Sequence, residues 1–406
     1  MNIPLFFNGH SEYALPEYLS YGGIAKEAGF HHSQQVPNWQ QADVAIFSVK
    51  EYRGSQDKPS ADYTDGDEVR KAFYKLKPLS KDCKMVDLGE LRPGHHLEET
   101  HLRLAEVCEA LLSHNTLPLI IGGSHDLDYG QFMAYQNMDK LISVLQVDAA
   151  LDLNPVPRIS RDIPEEEGKP RVTEGNHLRQ ILMHHPNYLF DCNHLGYQRY
   201  LNDAGDIHTL KALAFDVQSV GEARAALPET EPIIRMADMM SLDLAAVRKA
   251  EAPAQSQPSV FGFTGEEACQ VCWYAGMSEK LSSLGLYGYR QDLDKDHSTA
   301  MTVAVMMWYF LEGVAHRQQE FNFNSNFHIK YFVQTTDGPS LTFYKSKITE
   351  RWWMEIGTST LGQPPSTYTP HIERPLIIPC SYADYQKANS GEIPERWIRA
   401  QARPEG

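Results

Sequence analysis

The chain of 406 residues is short of several things, and each shortage excludes a class of protein. No apolar run reaches the roughly 18–20 charge-free residues that a membrane span needs; the longest candidate, "TAMTVAVMMWYFLEGVAH", is read as a buried helix. The start "MNIPLFFNGHSEY" has no basic stretch and no small-residue cleavage site, so no signal peptide is expected and a cytoplasmic location is. Basic residues are outnumbered, 37 Lys and Arg against 53 Asp and Glu, and the net charge is −16. Phosphate backbones need clustered cations, so nucleic acid is not expected as a partner. Six cysteines over this length do not make a disulfide framework. Cys269 and Cys272 form a CxxC without a second pair and are read as core cysteines of one helix. No internal repeat or low-complexity tract is present.

What is present is an alternation of strands and helices. "ADVAIFSVKE" (41–50), "KMVDLGEL" (84–91), "TLPLII", "LISVLQVDAA", "HPNYLFDCNHLGYQ", "LKALAFDV" and "MADMMSLDLAAV" read as strands. "DGDEVRKAFYKL" (65–76) and "HLEETHLRLAEVCEALLSHN" (96–115) read as helices, the second with acids in its first turn. This rhythm predicts an α/β fold of three layers: a mostly parallel, doubly wound sheet with helices on both faces. Ligands of such sheets bind at the carboxyl ends of the strands, where this sequence puts His125, Asp148, Asp152 and Asp243. After about residue 320 the pattern changes to alternating strands around a "DG" turn and a last amphipathic piece. The expected division is a main α/β domain over 1–320 and a C-terminal β-rich or irregular extension over 321–406. Trp352 and Trp353 could anchor a partner there or pack the extension onto the main domain.

Four segments, in order, resemble the signature of the ureohydrolase superfamily of arginases, agmatinases and formimidoylglutamases: "GGSHD" (122–126), "DAALD" (148–152), "SLDLAAVRKAEAPA" (241–254) and "GFTGEE" (262–267). "YRQDLDKDHSTA" (289–300) is similar to a fifth. The resemblance covers roughly residues 40 to 315. It implies an arginase-like fold and two manganese ions with a bridging hydroxide that attacks a guanidinium or amidino carbon. Oxygen-rich sites of this kind suit manganese.

Carried over position by position, the resemblance gives one metal a full set of ligands: His125, Asp148, Asp152 and Asp243. The two ligands private to the second metal fall on Ala150 and Ala245, whose methyl groups coordinate nothing. The Glu that grips the substrate cation in the family falls on Gly288, and the Asp before the first His falls on Ser124. Arg248 and Lys249 stand where the family has an acid and a proline, an odd choice beside a site for a cationic substrate. In "EGNHLRQ", His177 offers a catalytic acid or base, displaced by one place from the family's proton-shuttling His. Without an ion the three carboxylates would repel one another, and Arg158, Arg171 or Arg248 could balance them.

Two functions follow. The losses at Ala150, Ala245 and Gly288 predict a pseudoenzyme, acting as scaffold, subunit or sensor, with a homo-oligomer or protein partner engaged through the C-terminal extension. The alternative is a divergent single-metal hydrolase of C–N bonds in amidino or guanidino compounds, formimidoylglutamase- or agmatinase-like, with His177 as acid/base. The cofactor expectation is at most one divalent metal, manganese first, or none.

Overall fold

A computed structural model describes residues 3–11, 14–32, 35–57, 59, 67–138, 140–155, 172–318, 320, 323, 326–336, 338–357 and 376–402. Arg158 and Arg171 lie outside the described residues, as do most of the polar segment before His177 and of the Pro-rich segment near the C-terminus.

Ten strands form the main sheet: β1 (Phe7–Asn8), β2 (Ala28–Phe30), β3 (Val44–Val49), β4 (Met85–Leu91), β5 (Leu117–Gly122), β6 (Ile142–Val147), β7 (Leu189–Tyr197), β8 (Val217–Ser219), β9 (Met239–Asp243) and β10 (Ser283–Tyr287). The order is β1-β4-β3-β5-β10-β9-β6-β7-β8, with β2 also on β4. Every pairing is parallel except that of β1 with β4. The central strands are buried on both faces, which is why β3, β5 and β6 read as continuous apolar runs rather than alternating ones. Two clusters of apolar side chains, one per face, make the core. One takes in the helices Asp67–Phe73, Gly265–Met277 and Ser298–Ala315; the other takes in Leu97–Leu112, Leu127–Met133 and His177–Leu182. The three-layer α/β expectation holds.

Two details of the strand reading change. The segment "LKALAFDV" begins in the last turn of a helix, Ala204–Ala212, runs through a turn, and only its last residue enters β8. β1, β2 and β10 were not expected; β1 and β2 are too short to show a period, and β10 carries a glycine at its centre. Ser298–Ala315 is long and apolar enough to cross a membrane by length and composition, with 61% of that window buried in the fold. It packs closely on Gly265–Met277: a Cβ on Gly276 would lie 2.0 Å from the Phe310 carbonyl oxygen, so the two backbones can meet only at glycine. Cys269 and Cys272 are buried and free in the partner helix.

The C-terminal strands β11 (His328–Gln334), β12 (Ser340–Ser346), β13 (Trp352–Ile356) and β14 (Leu376–Cys380) form a separate antiparallel sheet. Arg235, from the helix Glu231–Met236, joins it to the main sheet's layer. Its Nη2 donates to the Trp352 carbonyl at 3.0 Å, and its guanidinium lies 4.3 Å from the Trp353 ring centre. Both tryptophans are buried, Trp352 stacking on Tyr385. They pack the extension.

Candidate metal centre

β5, β10, β9 and β6 are neighbours in that order, so their carboxyl ends deliver side chains to one place. His125 follows β5 after the turn Gly123–Ser124; Asp148 follows β6 directly; Asp243 ends β9. Asp152 sits four residues past Asp148 with φ at +50°, a left-handed backbone that a non-glycine residue adopts at a cost and that Asp tolerates better than most. The loop carrying it is pinned from β7. His194 Nε2 donates to the Ala150 carbonyl at 2.8 Å, and burial pushes that imidazole down to about 4, so it stays neutral. Asn202 accepts from the Leu151 N–H at 2.7 Å and donates to the Ala149 carbonyl at 2.9 Å.

The two histidines are held alike. His125 Nε2 meets Ser241 Oγ at 2.6 Å, which leaves Nδ1 facing Asp148 Oδ2 at 2.9 Å, Asp243 Oδ2 at 3.6 Å and Asp152 Oδ2 at 3.9 Å. His177 Nδ1 lies 2.8 Å from Asp128 Oδ1, in ion-pair range but off the hydrogen-bonding direction, and its Nε2 lies 3.1 Å from Asp152 Oδ2. The rings are 4.3 Å apart. Each imidazole thus has one nitrogen fixed by an outer partner and the other aimed at the same carboxylates. Such outer partners set the tautomer and orientation of a metal-ligating histidine.

The electrostatics record the crowding. Burial, then the charge of Asp152, raises the Asp148 carboxyl, and burial with Asp148 raises Asp243 to about 6. Burial and the His177 charge push His125 down, yet Asp148 and Asp243 outweigh them and lift it to about 9. His177 is likewise held well above its ordinary value by Asp128 and Asp152 against burial. Arg248 does not balance the acids; its Nε donates to Glu251 Oε1 at 2.6 Å. Among the described residues, His125 and His177 are the groups that face them.

The donor set fits a divalent ion. One ligand atom each from His125, Asp148, Asp152 and His177 fall within 4.8 Å of one another, with Asp243 Oδ2 alongside. Imidazole nitrogen and carboxylate oxygen are ligands for manganese, iron or zinc. Ala150 and Ala245 line the same cavity of about 340 Å³. The Ala245 N–H caps Asp243 Oδ1 at 2.6 Å, so only Oδ2 of that residue faces His125. Ser124 turns away, donating to Asp126 Oδ1 at 2.6 Å.

All five residues expected from the sequence meet at this site, His177 included despite its shifted spacing. Sequence reasoning passed over Asp128, Ser241 and Glu174. Asp128 was legible: it lies three residues after His125, one helical turn on, within "SHDLD". Glu174 lies three residues before His177 and lines the cavity, a placement only the fold reveals.

The sequence profile of the arginase family matches residues 42–312. A formimidoylglutamase of Staphylococcus haemolyticus is 25% identical over 60% of this chain and 77% of its own, and one of Staphylococcus carnosus is 26% identical over 64% and 79%. Among solved structures, Trypanosoma cruzi formiminoglutamase with Mn2+2 superposes with a TM-score of 0.59 at 19% identity, over 70% of this chain and 97% of that one. Arginase from Bacillus subtilis does so with a TM-score of 0.53 at 18% identity, over 66% and 98%.

Proposed function

The chain belongs to the arginase family, and from that premise we propose that it hydrolyses a C–N bond of a small amidino compound with one divalent ion, manganese by preference. The observation that supports this reading is the convergence of His125 Nδ1 and His177 Nε2 on Asp148, Asp152 and Asp243, each ring held from behind. The pseudoenzyme expectation rests on Ala150, Ala245 and Gly288; His177 weakens it by adding a donor beside the four ligands the resemblance implies. The named relatives and the manganese in a neighbouring structure favour the hydrolase. Residues 1–320 are taken as the hydrolase unit, and 321–406 as an extension clamped to it by Arg235.

The ion would supply an activated water at neutral pH. The chain's own residues do the rest. Ser241 and Asp128 fix the two imidazoles, and Asp148, Asp152 and Asp243 offer oxygens without having to be gathered first. His177 turns Nε2 toward Asp152 among the carboxylates, with Nδ1 beside Asp128, and this placement favours a ligand role over the acid/base role expected of it.

The test is metal content by mass spectrometry on protein purified without chelator and reloaded with manganese, followed by turnover of formimidoylglutamate, agmatine and arginine. Close to one ion per chain with turnover of one of these compounds is expected, and His177→Ala should lower the ion count. A loaded protein that hydrolyses none of them returns the pseudoenzyme reading.

A further inference from the structure

The cavity holds one carboxylate that the ion cluster does not use. Glu174 is 7% exposed and lines the cavity with Asp148, Asp152 and Asp243. Its Oε1 accepts hydrogen bonds from the Gln56 backbone N–H at 3.0 Å and from Gln257 Nε2 at 3.2 Å. Gln257 follows Ser256, whose N–H donates to the Gly288 carbonyl at 3.1 Å. The Glu174 carboxylate is therefore linked to the backbone of Gly288 through Gln257 and Ser256, although it comes from a different loop.

Gly288 itself is closed to any side chain. Its φ is +82°, and a Cβ there would lie 2.7 Å from Asp243 Oδ1 and 2.9 Å from Oδ2. A carboxylate at 288 would require Asp243 to leave the cluster. Among the described residues that line the cavity there is no Lys or Arg, and the imidazole there, His125, is turned to Asp148, Asp152 and Asp243. A buried carboxylate facing a cavity with no Lys or Arg among its described lining is a place for a cationic group of a ligand.

We infer that Glu174 binds the amidinium or guanidinium end of the substrate, in place of the residue at position 288. The inference rests on the hydrolase reading for the word substrate, and on the cavity geometry alone for the cation. The ligand class is a small planar cation with N–H donors, one of which can donate to Oε2, since Oε1 already accepts two bonds from the chain. A merely structural Glu174 would staple Gln56 to Gln257, and a glutamine would serve that purpose as well, since its carbonyl accepts both bonds.

The experiment uses the full chain loaded with manganese, titrated calorimetrically with acetamidinium chloride, in wild type, Glu174→Gln and Glu174→Asp. Wild type should bind; Glu174→Gln should weaken binding about 10- to 100-fold, the usual loss for a hydrogen bond to a charged group; Glu174→Asp should recover part of it. Manganese per chain should stay the same in all three. With any amidino substrate turned over, Glu174→Gln should raise KM far more than it lowers kcat. Equal binding in wild type and Glu174→Gln, no binding in wild type, or loss of manganese in Glu174→Gln would each overturn the inference. Glu174-dependent binding without turnover of any compound would uphold it while sinking the proposed hydrolase, and turnover with KM unmoved in Glu174→Gln would do the reverse.

Discussion

Asp87, in β4, and Asp148, just past β6, are both buried aspartates of one sheet, and their surroundings are opposite. Asp87 is surrounded by donors, Arg70 Nε at 2.8 Å and Nη2 at 3.2 Å, Tyr74 Oη at 2.6 Å and the Gly89 N–H at 3.0 Å, with His10 Nε2 in ion-pair range at 3.1 Å. Burial alone would raise its carboxyl, but Arg70 and His10 hold it well below the usual range. Asp148 has the His125 nitrogen, the Ala150 N–H at 3.2 Å and two carboxylates for neighbours, and its carboxyl is raised. A carboxylate kept for structure is given its cations by the chain. One kept for an ion is left short of them, and the shortage is affinity held in reserve.

The sharpest way to break this comparison is to neutralise each acid in turn. Asp148→Asn should abolish manganese binding and lower turnover by at least about 1000-fold, read by metal content and product release. In ion-free protein the same change should alter unfolding free energy by less than about 1 kcal/mol, because it removes repulsion as well as a bond. Asp87→Asn should instead destabilise by about 3–5 kcal/mol, since Arg70 is left buried without its counter-charge, while manganese per chain stays at the wild-type value. Urea unfolding of both variants without metal decides the matter. Equal losses would mean that the site acids are as structural as Asp87.

The two regions also titrate in different windows. His125 is raised to about 9 in the fold, so the stability it contributes is complete below its unfolded value near 6.5 and lost as pH rises through 9. Asp243 is raised to about 6, the reverse of a paired acid, so it costs nothing below its unfolded value near 3.9 and its full penalty above 6. The two losses follow one another: ion-free protein should lose stability between about pH 4 and 6 through Asp243, and on the order of 3 kcal/mol between about pH 6.5 and 9 through His125. Asp87 is depressed, so its contribution is present above about 3.9 and constant over that range. Thermal melts with and without manganese check this, because an ion that replaces the histidine protons should remove the decline. A decline unchanged by saturating manganese would put its source outside the site.

Much of this contrast was legible in the sequence, and the reason is local. Asp148, Asp152 and Asp243 stand at the ends of apolar runs, and an apolar run in a parallel sheet fixes where its last residue goes. His177 was legible as a residue and not as a neighbour, because it stands one place off the family's proton-shuttling His and its meeting with His125 depends on how the chain folds back. Glu174 was hidden because nothing local distinguishes it, and the role of Ser241, although it opens a signature segment, comes from a contact with His125 that the topology brings from far along the chain. Asp87 illustrates the converse, an acid inside a strand pattern whose partner Arg70 is set by packing rather than by any motif. The Pro-rich C-terminal segment lies largely beyond the described residues, and the sequence offers no chemistry for it.

Asp128 sharpens the comparison at its smallest scale, since it belongs to both types. It is buried and its carboxyl is lowered, as Asp87's is, because the nearby His177 charge outweighs burial. It also accepts from Gln146 Nε2 at 2.7 Å, so one oxygen is fully employed by the fold. Its other oxygen lies 2.8 Å from His177 Nδ1, and through that ring it would reach the proposed ion position. Asp128→Asn should therefore weaken manganese binding about 10- to 100-fold, the usual effect of an outer partner of a metal-ligating histidine, without abolishing it as Asp148→Asn does. Competition with a fluorescent chelator measures the change directly. If the affinity falls as far as in Asp148→Asn, Asp128 is part of the ligand set rather than its support. An unaltered affinity would mean that His177 does not hold the ion, and the site would reduce to the four residues of the family signature.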